Sequence, residues 1–466
     1  MIFLKFILLY LTFFVFNNLS SQPFNFDHFK IEDGLSNNAV ICSTQDKNGF
    51  LWFGTKDGLN RFDGYKFKKY FSDNESNNGL RSNYIISLFV DINNQLWVGS
   101  DWGLYLYDPI SDSFEIVEGT QQDEILEIEQ DKNGDIWFIS NFILKKLDLQ
   151  TKQIHLDKQI QNRTITSITT DSLKNIWAAS NHEILNVHDD NVYPLPSPAV
   201  GSLNVETLLF GEKGKLWIGT QQHGLFNFDL QSEKYEHVLP YLEPNLNLFI
   251  RDIQIVSPSQ LWIASESGLI VMNTLNNVYH HIAYEQSNPW SISDNAIYTL
   301  TLDHQEGIWI GSYFGGINYY HRKHNLFQRF FSQKAKNSIS GRAIREIIQE
   351  PKGNLWIGTE DNGLNYYDHT TQTYLHFSTK TGLSDNNIHG LALIGDSLLI
   401  GTFNNGLDVM DIHSKKMIAQ FNSRNTKGKL GNNFIMSIYQ TKAGKILLTT
   451  PRGLFQFIAG TNEFKL

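Results

Sequence analysis

Aromatic rings set beside carboxylates and amides in short turns are the side chains of this sequence best suited to recognising another molecule. Asp101 and Trp102 share one such turn, His223 stands in a second, Glu266 in a third, Tyr313 with Phe314 in a fourth and Asp361 with Asn362 in a fifth, while Trp290 follows Asn288-Pro289 in a longer connection. A ring face suits the CH face of a sugar, and neighbouring carboxylates and amides offer its hydroxyls directed hydrogen bonds. The alternative is that these aromatics pack over strand edges. For catalysis the signals are absent: the 15 histidines are scattered, and no HExxH, GxSxG or phosphate-loop pattern occurs. Asp and Glu fall mostly in turns, so acids converging on a lyase or hydrolase centre are not expected, and no catalytic residue is assigned. Asp46-Lys47-Asn48-Gly49 and Asp131-Lys132-Asn133-Gly134 look like the start of a calcium loop, but no Glu closes either at the twelfth position. Asx turns account for them, and neither metal nor cofactor is expected.

The bulk composition, with 13% aromatics, 34 Gly and 18% charged residues, is that of a folded, turn-rich β protein. Formal charge is -10, with 38 basic residues against 48 acidic and no basic stripe, which argues against nucleic acid as a partner. Cys42 is the single cysteine, so no intrachain disulfide forms, and its apolar neighbours Ala39-Val40-Ile41 mark it as a small core residue. Residues 1–21 begin with Lys5 and an apolar run from Phe6 to Phe16, then turn small and polar at Asn17 to Ser21. That is the order of a secretory signal peptide, at roughly a dozen apolar residues too short for a membrane span. The expected location is periplasmic or secreted.

What positions the turns is a repeat. Trp52, Trp97, Trp137, Trp177, Trp217, Trp262, Trp309 and Trp356 recur at intervals of 45, 40, 40, 40, 45, 47 and 47 residues, and Trp52, Trp97, Trp217 and Trp356 are followed by a Gly-Leu pair after a short turn. Two further copies, Ser397 to Thr402 and Lys445 to Thr450, lack the Trp, making ten units. Within one unit, runs at 85–90, 96–100, 104–107 and 114–117 are short, β-branched or aromatic, and bounded by Asn, Asp, Gly and Pro. Four antiparallel strands per unit predict an all-β β-propeller of ten blades. A blade cannot bury both of its faces alone, so the repeated Trp is expected to fill the space between neighbouring sheets, contributing on the order of 3 kcal/mol each. Either 24–30 or 326–331 can supply the last strand of the seventh blade.

The pattern Asp46-x-x-Gly49-x-Leu51-Trp52-x-Gly54-Thr55-x-x-Gly58-Leu59, with the lead-in Ile31-Glu32-Asp33-Gly34-Leu35-Ser36, resembles the two-component regulator propeller repeat. The resemblance implies the periplasmic sensor region of a hybrid two-component system. In that family two seven-bladed propellers precede a β-sandwich, a membrane helix, a histidine kinase and often a response regulator, and the ligand is typically an oligosaccharide. On that plan 22–335 is a first propeller of seven blades and 336–466 three blades of an incomplete second ring. The sequence departs from the plan after its tenth unit, as a truncated or split gene product would, or as blades that close differently would. Expected partners are an oligosaccharide or other small ligand, the remaining sensor and kinase portion or a downstream protein, and a second copy of the chain. Alternatives are a secreted scaffold for protein binding or a propeller lyase or hydrolase.

Overall fold

The computed structural model describes residues 24–73, 79–156, 160, 163–189, 191–196, 203–239, 248–321, 329–332 and 337–466. The signal-like segment 1–21 lies outside them. The described chain forms ten four-stranded antiparallel sheets, in two compact units spanning 1–326 and 327–466.

Unit 1 holds seven sheets. Blade 1 comprises Val40–Gln45, Leu51–Thr55, Gly58–Phe62 and Phe67–Tyr70, and blade 2 comprises Ile85–Val90, Leu96–Ser100, Gly103–Asp108 and Ser113–Ile116. The first strands of blades 3 to 7 are Ile125–Gln130, Ile165–Thr170, Val205–Phe210, Ile250–Ser257 and Ile297–Leu302. Each first strand lies beside the next, and the last of them returns to Val40–Gln45, so the seven sheets close a ring with their first strands innermost. At that closure Ser43 Oγ bonds to Thr299 Oγ1 at 3.0 Å and to Thr301 Oγ1 at 2.7 Å. Of the two segments able to finish blade 7, the N-terminal one does so: Asp27–Phe29 pairs antiparallel with Ile317–His321. Residues 326–328 of the competing segment lie outside the described residues.

The repeated tryptophans are wedges, none more than 6% exposed. Each of the seven in unit 1 sits in an apolar cluster shared between its own blade and the one that follows, as Trp52 does with Ile85 and Leu96, and Trp309 with Val40 and Leu51. In blades 1, 2, 5 and 7 the residue two beyond the Trp is a glycine that makes room for the next blade. A Cβ on Gly219 would lie 2.6 Å from Ile250 Cγ2, and one on Gly54 as close to Ile85 Cγ2, far inside van der Waals contact. Opposite these glycines the first strands carry a register shift, as at Ile85/Ser87 and Ile250/Asp252. After the following turn, Gly58 adopts φ +109°, which only glycine takes without strain.

In most blades the acidic residue of the first turn has a second duty. Asp46 Oδ1 accepts the backbone N–H of Asn48 and Phe50, as an Asx turn requires, and its Oδ2 accepts the buried Trp52 indole at 2.9 Å. Asp91, Asp131, Asp171, Asp303 and Glu350 hold their indoles in the same way at 2.7–3.2 Å. The calcium-like turns are therefore tryptophan anchors. In blade 6 the corresponding position is Val256, and the Trp262 indole nitrogen is buried without a partner.

Unit 2 has three sheets. Blade 8 comprises Ile344–Gln349, Leu355–Thr359, Leu364–Asp368 and Thr373–Phe377; blade 9 comprises Ile388–Ile394, Ser397–Thr402, Leu407–Asp411 and Lys416–Phe421; blade 10 comprises Ser437–Gln440, Ile446–Thr450, Gly453–Ile458 and Glu463–Lys465. Leu399 takes the wedge position in blade 9 and is 1% exposed.

Because Asp46 satisfies both a turn and a buried indole, Asp46→Ala is expected to lower the unfolding free energy by about 1–3 kcal/mol, read from the urea midpoint at unchanged m-value. A midpoint equal to wild type would mean that the indole bond adds nothing to the wedge.

Candidate functional site

A cavity of about 560 Å³ runs into the ring of unit 1, lined by first-strand residues from all seven blades. Its wall is uneven. Blades 1 to 3 contribute Ile41, Ile86 and Leu126, with Tyr84 and Phe142 nearby, whereas blades 5 to 7 contribute Glu206, Arg251 and Tyr298.

These residues share one place in the fold, the second position of a first strand. Around the polar arc each meets the residue that opens the turn between the second and third strands of its own blade, 15 positions later. Glu206 Oε2 accepts from Gln221 Nε2 at 2.9 Å, Arg251 Nε donates to Glu266 Oε1 at 2.8 Å, and the rings of Tyr298 and Tyr313 lie 5.0 Å apart. Arg251 also crosses to both neighbouring blades, donating to Glu206 Oε1 at 2.8 Å and to the Tyr298 hydroxyl at 3.1 Å. Burial opposes its charge, but Glu266 and Glu206 hold the guanidinium above the usual arginine value. Stacked contacts extend the arc: Arg251 lies over the Phe249 and Tyr298 rings, and Lys56 over the Tyr313 ring at 4.4 Å. Lys56 also donates to the Tyr313 hydroxyl, which raises its pKa.

Deeper in the cavity stand Glu127, Glu129 and Asp252. Glu127 accepts from Ser167 Oγ and from Ile168 N at 2.6 Å, and Asp252 Oδ2 accepts from Leu300 N at 2.7 Å, so both carboxyls fasten the first strand of their own blade to the next. Desolvation raises all three pKa values: Glu127 far above the ordinary range, Glu129 and Asp252 to about 7. The expectation that acids keep to turns is thus corrected, because the first strands carry them into the channel.

None of the nine turn residues singled out in the sequence lines this cavity directly. Glu266 and Tyr313 touch residues that do, and Phe314, 74% exposed, lies edge-on to Tyr313 at 4.6 Å. Asp101 is exposed, and Trp102, 41% exposed, has its backbone tied to Ser100 Oγ and the Tyr105 hydroxyl. The His223 carbonyl meets His237 Nε2. Half-buried Trp290 gives its carbonyl to Phe26 N, at the segment leading into the closing strand Asp27–Phe29, a structural placement. Asp361 accepts from Arg342 N, and Asn362 N bonds to Thr359 Oγ1, both in unit 2. Glu206, Arg251 and Tyr298 escaped notice in the sequence, although a charged residue interrupting Val205-x-Thr207 or following Ile250 was the available signal.

Native Asp252 keeps its proton over a range in which the unfolded chain, with a carboxyl near 3.9, has already released it. Its contribution to stability therefore falls as pH rises from about 4 to about 7. Asp252→Asn cannot ionise, so its Tm relative to wild type should rise between about pH 4 and about pH 8.5. Thermal melts showing the same difference at both values would uncouple this carboxyl from stability.

Comparison with known proteins follows the same lines. The two component regulator propeller model matches residues 34–57 and 79–102, in blades 1 and 2. Over 50 residues the chain is 54% identical to Histidine kinase P4 of Formosa agariphila, a match covering 11% of this chain and 4% of that protein. Two solved structures from B. thetaiotaomicron, each described as the extracellular domain of a hybrid two component system, share the fold across 95% of this chain. One is 22% identical with a TM-score of 0.64 over 72% of its length, the other 20% identical with a TM-score of 0.57 over 67%. A streptogramin B lyase structure, 15% identical, covers 64% of this chain and 97% of its own with a TM-score of 0.50. Among the described residues no helix is long and apolar enough to cross a membrane. Repeat, fold and matched segments agree: this chain is a β-propeller protein whose blades 1 and 2 match the two-component regulator propeller repeat.

Proposed function

We propose that the chain is the ligand-sensing, extracytoplasmic propeller region of a hybrid two-component sensor, and that it binds an oligosaccharide at the channel mouth of unit 1 and passes the signal to a kinase portion. The divided mouth is the observation that carries this. Its apolar arc from blades 1 to 3 offers a surface for CH groups, and its polar arc of Glu206, Arg251 and Tyr298 offers fixed donors and acceptors. Glu266, Tyr313 and Phe314 border that arc as outer contacts, and Trp102 is a ring available on the same end of the ring of blades. A leader at 1–21 fits a periplasmic location.

Unit 2 is proposed to be the opening of a second ring. Ile344 and Ile347 on blade 8 are 43% and 56% exposed, and Leu454 on blade 10 is 51% exposed, whereas the matching Ile85, Ile128 and Leu59 are at most 6% exposed between blades. Such faces suit coverage by further blades.

Calorimetry of the chain against neutral and acidic oligosaccharides tests the ligand assignment. Arg251→Ala should weaken binding at least about tenfold, because it removes donors and frees Glu206 and Glu266 together, while Trp102→Ala tests the outer ring. Binding unaffected by Arg251→Ala would place the ligand elsewhere.

A further inference from the structure

The two-blade element that dominates the mouth of unit 1 occurs a second time, complete within unit 2. In blades 6 and 7 an Arg–Glu pair, Arg251 with Glu266, is followed on the next blade by an aromatic pair, Tyr298 with Tyr313. In blades 8 and 9 the same positions hold Arg345 with Glu360, 3.6 Å apart, and then His389 with Phe403, whose ring centroids are 5.5 Å apart and nearly parallel. A third ring completes each group. It is Phe314 in unit 1 and Phe434 in unit 2, the latter 4.9 Å from His389 and 4.6 Å from Phe403.

The second copy carries an unmet demand that the first does not. His389 is only 8% exposed, yet its Nδ1 has no hydrogen-bond partner, and the buried Oδ1 of Asn387, two residues earlier, has none either. Native interiors rarely leave such atoms unsatisfied, since each costs the desolvation of a polar group with nothing in return. Burial and then the nearby Arg345 charge lower the His389 pKa, against smaller opposing contributions from Glu360 and Asp385. A neutral ring protonated on Nε2 presents Nδ1 as an acceptor, and Asn387 Oδ1 is an acceptor as well. Both therefore call for donors, beside a Phe403 ring that is 39% exposed.

We infer that His389, Phe403 and Phe434, flanked by the Arg345–Glu360 pair, form a second ligand site that takes a neutral polyhydroxylated ring, a sugar residue. One of its faces rests on Phe403, and its hydroxyls donate to His389 Nδ1 and Asn387 Oδ1. The site lies in unit 2 and does not depend on the channel mouth of unit 1, although both would receive the same chemical class.

Titration calorimetry of the full chain with cellotetraose, laminaritetraose, xylotetraose and mannotetraose tests this. Two binding events per chain are expected with at least one of them. His389→Ala should abolish one event and leave the other, and His389→Gln, which restores an acceptor, should recover part of it. Lowering the pH until His389 protonates should weaken that same event by about tenfold or more. Far-UV circular dichroism and Tm confirm that each variant is folded. A single event that His389→Ala leaves intact and Arg251→Ala removes would overturn the second site and retain the channel mouth. An event lost with His389→Ala but indifferent to Arg251→Ala would do the reverse, and no binding by any of the four sugars would overturn both.

Discussion

An indole from one blade and, in blades 1, 2, 5 and 7, the glycine two residues beyond it form the receiving half of the interface with the next blade. The giving half is the branched residue that opens the next blade, Ile85 against Trp52 and Gly54, or Ile250 against Trp217 and Gly219. Neither half is a finished surface. A sheet with only one of them covered still exposes a large apolar face, which is why stability here belongs to neighbouring pairs of blades and not to any blade alone. The aspartate turn refines the arrangement by holding the indole nitrogen, and so fixes the angle at which the wedge enters. Hydroxyls and carboxyls of the first strands, Ser43, Ser167, Glu127 and Asp252 among them, then tie adjacent blades together along the inner wall.

With the sheets fixed in this way, the second residue of each first strand and the residue opening the later turn are free to vary. That freedom gives the channel mouth its asymmetry. Aliphatic side chains fill one side, while Glu206, Arg251 and Tyr298 form a bonded arc on the other that spans three blades. Arg251 is the centre of the arc because it alone reaches both neighbours. Its position between two carboxylates and against two aromatic rings leaves it little room to reorient, so the arc is held in one arrangement.

Much of the fold was legible because its signals are local. Trp spacing, turn residues and alternating runs fixed the strands of blade 2 to within a residue, and the wedge role of the tryptophans followed from the need to cover both faces of a sheet. Ring closure was not legible, since 24–30 and 326–331 carry equivalent patterns and only pairing with Ile317–His321 decides between them. The second duty of Asp46 was missed although the turn itself was read correctly, because an Asx turn uses one carboxylate oxygen and nothing in the sequence says where the other points. The site was the least legible part. Turn residues were picked out as a class, yet Glu266 and Tyr313 matter through Arg251 and Tyr298, whose inward direction depends on strand register. Glu127 and Asp252 were hidden for the same reason.

The closing strand has a consequence for how the molecule is assembled and undone. Asp27 and Tyr319 are partners about 290 residues apart in sequence, so the first described segment to leave the ribosome must wait for nearly the whole ring before it finds its place. Clasping it costs about 5 kcal/mol of loop-closure entropy by the simple logarithmic law, and Phe26, buried against Trp262 and Ile297, returns part of that. The N-terminal segment therefore works as a latch. Tension or a protease cut near residue 30 would unfasten blade 7 first and expose the Trp309 face, converting a closed ring into an open, aggregation-prone arc while six blades still stood.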